Sequence, residues 1–218
     1  MSLHLHRDME SLTKELLQLG NLVESAINSA ILALHNRETV MADRVLQIEM
    51  EINAKEVYIE QECLKMLALH QPVAVDLRFI VAVLKVDNDL ERMGDFAKNI
   101  AKRALVLANL NPVPLSSEFV TELPDLVRTM VRKSLDALVT LDLDLARNVI
   151  KMDKRVDEIN ARMYIDVRQL IEEDVRQTEV ALNLLSCSRH LERIADHSTN
   201  IAEDVLFMVE GKVIRHKG

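Results

Sequence analysis

Glu91 with Asp95, and Glu192 with Asp196, are carboxylates four residues apart within two nearly identical stretches, LERMGDFAKNIAKRAL at 90–105 and LERIADHSTNIAEDVL at 191–206. On a helix, positions four apart lie almost above one another, so each pair presents two acids on one face. Like charges in that relation repel, by about 0.2–0.5 kcal/mol per pair. Glu49 with Asn53 and Asp153 with Asp157 repeat the spacing upstream, in IEMEIN at 48–53 and MDKRVD at 152–157. Oxygen-only clusters of this kind suit hard or borderline cations such as magnesium, calcium, manganese or iron. The plainer alternative is a solvated face, since 35 of the 218 residues are acidic and exposed carboxylate pairs are common on long helices.

Other chemistries are poorly supplied. A ferritin-like di-iron site needs Glu-x-x-His on two helices, and no histidine has a glutamate three residues before it. His190, just before the second motif, and His197, within it, point to one face, where packing or simple exposure is the plainer reading and a metal role the alternative. Cys187 lies one turn before Leu191 and reads as a small buried hydrophobe, with no histidine and acid arranged around it as for a nucleophile. There is neither a glycine-rich phosphate loop nor a G-x-S-x-G elbow. The expectation is that the protein is not an enzyme.

The elements that must carry the acids are helices. Leu12, Leu16, Leu19, Val23, Ala26 and Ala30 alternate steps of four and three, marking one face of a first helix. Val45, Ile48, Ile52, Ile59 and Met66 define a second, ending before Pro72. A third carries Leu90, Met93, Ala97, Ile100, Ala104 and Leu107. NLNPVPLSSE at 109–118 holds two of the four prolines and reads as a linker. A fourth helix starts near Pro124, and a fifth buries Leu145, Val149, Met152, Val156, Ile159 and Met163. The sixth repeats the third's rhythm in Leu191, Ile194, Ser198, Ile201, Val205 and Met208. The predicted fold is all-α, two tandem antiparallel three-helix bundles related by internal duplication, over 1–108 and 119–218 with 109–118 between. At about 100° per residue the Glu91 and Glu192 faces point away from these stripes, so they are expected to be exposed.

Composition agrees with this plan. Hydrophobic residues make up 49% and aromatics 3%, with four glycines and no tryptophan, which leaves little for strands or stacking platforms. A net charge of -8 argues against binding nucleic acid or an anionic membrane, which needs a basic patch. Cys63 and Cys187 form no disulfide framework, which suits a reducing compartment. The longest apolar run, FIVAVL at 79–84, is short for a bilayer, and MSLHLHRDME lacks a signal peptide's apolar centre. A soluble, cytoplasmic protein is expected.

QPVAVDLR at 71–78, NDLERMGDFAKNIAKRA at 88–104 and HLERIADHSTNIAEDV at 190–205 together resemble the PhoU family of phosphate-signalling regulators, over about residues 5–210. The resemblance implies two three-helix bundles and a non-enzymatic cytosolic adaptor between the ATPase of the phosphate ABC transporter and a sensor histidine kinase. Such an adaptor represses the phosphate-starvation response and limits uptake when phosphate is abundant. It also implies a homodimer that meets the membrane only through its partners. Some members carry metal ions, iron and zinc among them, on E/D-x-x-x-D motifs. These motifs fall here on Glu91 with Asp95, Glu192 with Asp196 and Asp153 with Asp157, while Asn53 beside Glu49 supplies a neutral oxygen in place of a carboxylate. Ala195 stands where the first copy has Gly94, and no Pro-x-x-x-Asp-Leu-Arg precedes the second motif. The competing readings are a carboxylate-bridged metal protein or metalloenzyme unrelated to phosphate, and a structural helical protein whose acids only solubilise it.

Overall fold

A computed structural model describes residues 3–211 of the chain. Those residues form six long helices and no strand: α1 Leu3–Asn36, α2 Thr39–His70, α3 Val75–Ala108, α4 Leu123–Thr140, α5 Leu143–Glu173 and α6 Thr178–Glu210. Helices α1, α2 and α3 pack mutually, as do α4, α5 and α6. Two three-helix bundles result.

Local chemistry explains where the helices begin and end. Pro124 sits in the first turn of α4, where its missing N–H costs nothing. Asp142 caps α5 by accepting from the backbone N–H groups of Asp144 and Leu145, at 2.8 and 3.0 Å, which satisfies two otherwise orphaned donors. Gly211 ends α6 at φ 69°, a left-handed conformation that glycine adopts without steric cost. Two short elements were not legible from the apolar pattern. A π-helical turn at Glu118–Glu122 leads into α4, and a 3₁₀ turn at Val175–Gln177 precedes α6.

The apolar stripes lie where their spacing puts them. Leu12, Leu16, Leu19, Val23, Ala26 and Ala30 of α1 are all buried, as are Val45, Ile48, Ile52, Ile59 and Met66 of α2. Each such Leu or Ile contributes about 1.5–3 kcal/mol relative to exposure. By length and composition α1 could cross a bilayer, with a mean hydropathy of 1.2 in its most apolar window. Its stripe is instead packed against the bundle, as in a core helix.

The most extensive helix pairing joins the two bundles, through α3 and α6. Along it Lys85 meets Asp204, Asp89 meets His197 and Asn200, Phe96 stacks near His190 and His197, and Arg103 reaches Asn183. As one helix ascends the other descends, so the pair is antiparallel. The duplicated halves are thereby related by an approximate twofold axis near Gly94 and Ala195. The α2–α3 turn and the α5–α6 turn lie at opposite ends of the molecule.

Gly94 lies under α2. A Cβ built there would approach Cδ1 and Cγ2 of Ile52 to 2.9 and 3.2 Å. In the second half Ala195 matches Gly94 and the smaller Val156 matches Ile52, so the paired volume is nearly conserved across the duplication. Gly94→Ala is therefore expected to destabilise the chain by about 1–3 kcal/mol, and Ile52→Val added to it should recover most of the loss. Urea unfolding of the two single variants and the double variant measures that coupling.

Candidate functional site

The duplicated acids line two equivalent seams, α2 against α3 and α5 against α6. They are not the free outer faces that helical spacing implied. Glu49 is 7% exposed, Glu91, Asp95, Asp153, Glu192 and Asp196 are half-buried, and only Asn53 and Asp157 are exposed. The discrepancy has a simple cause. The acids of α3 sit at the edge where α2 packs alongside it, close to Glu49 and Glu56, and those of α6 sit at the edge covered by α5, close to Asp153 and Asp157.

In the first seam Lys98, one turn beyond Asp95, supplies a cation. Its ammonium lies 2.6 Å from Oε1 of Glu49 and 3.4 Å from Oδ1 of Asp95. Asn53 donates to the same Oε1 of Glu49 at 2.8 Å. Burial works to raise the Glu49 carboxyl, but these two donors outweigh it and hold the group below the usual glutamate range. Hydrogen bonds to charged groups of this kind contribute about 1.5–3 kcal/mol. Glu91 does not join this set. Burial, and then Asp95, raise it, and Glu56 across the seam adds to the effect.

In the second seam the position matching Lys98 is Thr199, and the position matching Asn53 is Asp157. Burial, then Asp157, Asp196 and Glu192, push the Asp153 carboxyl up to about 6, with Thr199 opposing. Glu192 and Asp157 are raised as well, by burial first and Asp196 next. Arg193 bonds Asp196 at 2.9 Å. Oδ1 of Asp153 and Oε2 of Glu192 are buried and have no hydrogen-bond partner. A metal ion fits the donor chemistry of this seam, which offers four carboxyls and two unsatisfied buried oxygens. The first seam already holds an ammonium and an amide N–H. Among the described residues no three His, Cys, Asp or Glu side chains are gathered closely enough to ligate one ion as they stand.

Sequence reasoning singled out Glu91 and Asp95 but passed over Asp87, four residues earlier on the same row. Asp87 is 2% exposed, and its Oδ1 has no partner. Burial, followed by Glu56, Glu60 and Glu91, pushes its carboxyl up to about 8. The matching positions in the second half are Ser188, Asn160 and Tyr164 in place of Asp87, Glu56 and Glu60, and Ser188 donates to Asn160 at 2.9 Å. Lys98 was also legible, since it lies inside the quoted motif where the second copy has Thr199. His190 and His197 prove to be interbundle residues: Nδ1 of His197 lies 2.7 Å from Oδ1 of Asp89. Cys187 is buried and its thiol is pushed up to about 12, chiefly by burial, as befits a packing residue.

A carboxyl whose folded pKa is raised binds its proton in the native state over a range where the unfolded chain has released it. The associated stability is complete below the unfolded value near 3.8 and is lost as pH rises through about 8. Asp87 faces Glu56, Glu60 and Cys63 from α2 and Glu91 on its own helix. In chelator, stability should therefore decline between about pH 4 and 8, by at most about 1.4 kcal/mol per pH unit. Asp87→Asn should flatten that decline, which denaturant titrations across the interval measure.

Comparison with known proteins places this architecture. The PhoU domain model matches the chain twice, over residues 16–104 and 120–205. The phosphate-specific transport system accessory protein PhoU homolog of Pseudomonas putida is 37% identical over 218 residues, covering 100% of this chain and 85% of the relative. Phosphate-specific transport system accessory protein PhoU of Escherichia coli K12 is 33% identical over 214 residues, 97% of this chain and 87% of the relative. The crystal structure of PhoU from Pseudomonas aeruginosa superposes with a TM-score of 0.92 at 37% identity, covering 95% of this chain and 99% of that one. The phosphate transport system regulatory protein PhoU from Streptococcus pneumoniae gives 0.87 at 27% identity, covering 96% and 99%. With both bundles matched in sequence and in fold, the chain belongs to the PhoU family.

Proposed function

We propose that this chain is a non-enzymatic accessory protein of phosphate transport. It acts in the cytoplasm, by contact, between the transporter's ATPase and a phosphate-responsive sensor histidine kinase. Abundant phosphate then keeps the starvation genes off and restrains uptake. The observation that carries this reading is the match of both bundles, nearly end to end, to relatives named as accessory proteins of the phosphate-specific transport system. The distribution of exposed apolar side chains supports work by contact. Leu69, Val73, Val75 and Leu77 stand exposed around the α2–α3 turn, and Ile165, Val175 and Leu182 around the α5–α6 turn at the other end. Two partners can thus be engaged at separate ends.

The α5–α6 seam adds a cation to this reading. Asp153, Asp157, Glu192 and Asp196 would hold it, with rotation of the outer side chains needed to gather them. A hard or borderline metal there would satisfy the buried oxygens of Asp153 and Glu192 and relieve the repulsion among the four carboxyls. Its role is to brace α5 against α6, not to react.

Deletion of the gene should switch on phosphate-starvation genes in phosphate-rich medium, and the wild-type chain supplied in trans should silence them. Unchanged transcript levels in the deletion strain would sink the reading. Val73→Glu should weaken crosslinking to one partner and Val175→Glu to the other. Loss of both partners from one variant would reject separate ends.

A further inference from the structure

The two seams descend from one sequence, yet their charge balance differs. The second seam sets four acids against the arginines at its rim and a threonine hydroxyl. In the first, Lys98 is 27% exposed and reaches Glu49, itself 10% exposed at the side chain, at 2.6 Å, and Asp95 at 3.4 Å. Asn53 occupies the position of Asp157 and turns its amide N–H onto the same oxygen of Glu49. Two changes, a neutral residue for an acid and an ammonium for a hydroxyl, leave the Glu49–Asp95 end of the first seam poorer in negative charge, apart from the Asp87, Glu56 and Glu60 group further along it.

We infer that Lys98 acts as a built-in counter-ion that closes the first acidic motif, so that Glu49, Asn53 and Asp95 take no metal and, of the two duplicated motifs, the one between α5 and α6 is left to bind a cation. The inference rests in part on the metal reading of that second seam. A dication approaching Glu49 must displace an ammonium already bonded to it and share the carboxylate with the donor side of an amide, which repels cations. The same contacts hold α2 and α3 together without any ligand. The first bundle is thereby braced independently of metal supply, whereas the second responds to it.

The test measures bound manganese by elemental analysis after loading the full chain with MnCl₂ and dialysing, alongside melting temperature with and without EDTA. Asp153→Asn/Glu192→Gln should lose all the manganese of the wild-type chain. Manganese retained by that variant would overturn the inference. Adding Lys98→Thr and Asn53→Asp to it should create manganese binding, with a melting temperature that rises on loading and falls in EDTA. No gain of metal there would also overturn it. That arm reads the first seam even when the wild-type chain binds nothing, an outcome that rejects the metal reading of the second seam alone. Should the variant fail to fold, Lys98→Met and Lys98→Met/Glu49→Gln replace it. The single change should lower the melting temperature in EDTA by several degrees, and the double change should restore most of it. Additive losses would show that the ammonium and carboxylate are not partners, and would sink the proposal.

Discussion

Helices α3 and α6 must each be covered on three sides, and the rest of the molecule is arranged around that requirement. Each supplies the inner wall of its own bundle, and each is pressed against the other across the middle. Most polar groups in the contact find partners, the buried Nε2 of His197 being an exception. Asp89 accepts from Asn200 and lies against the imidazole of His197, while Lys85 neutralises the nearly buried Asp204. Small residues such as Gly94, Ala97, Ala101, Ala195, Ser198 and Ala202 are all buried on these two helices and let backbones approach closely. The acidic rows therefore lie in grooves partly sealed by neighbours, and burial is the first cause that raises Asp87, Glu91, Asp153, Asp157 and Glu192.

Much of the fold could be read from apolar spacing, because a three-helix bundle needs one continuous stripe per helix and the chain provides six. Pro72, Pro124 and the proline-containing stretch after residue 108 mark breaks that follow from proline's missing donor. The π-helical turn at Glu118–Glu122 left no such trace, since it changes the hydrogen-bond register without changing residue type. The exposure of the acid face was misjudged for a definite reason. Periodicity identifies the apolar side of α3, whereas how far the flank of α2 reaches over the neighbouring acid row is a tertiary fact that one helix's pattern does not encode.

The acid positions themselves were legible, but their charge balance was only half so. Asn53 for Asp157 signalled that the halves differ. The compensating exchange, Lys98 for Thr199, sits seven residues beyond Glu91, about two turns along the same row. Asp87 extends that row in the other direction, with Ser188 as its neutral counterpart. The acid spacing thus found the right seam but not Lys98, inside the repeat, or Asp87, just before it, which decide whether the seam is acidic, neutral or self-paired.

The approximate twofold between the halves carries a further meaning. Two separate copies of a single bundle, associating through α3-like helices, would form a symmetric dimer in which every substitution occurs twice. Such a dimer would have a lysine in both seams or in neither, and a glycine or an alanine at both close approaches. Joining the copies through residues 109–117 lifts that constraint, and Gly94 with Ile52 has already diverged from Ala195 with Val156 along with the charges. Tandem fusion turns one symmetric interface into two independently tunable halves while keeping the geometry that symmetry made stable.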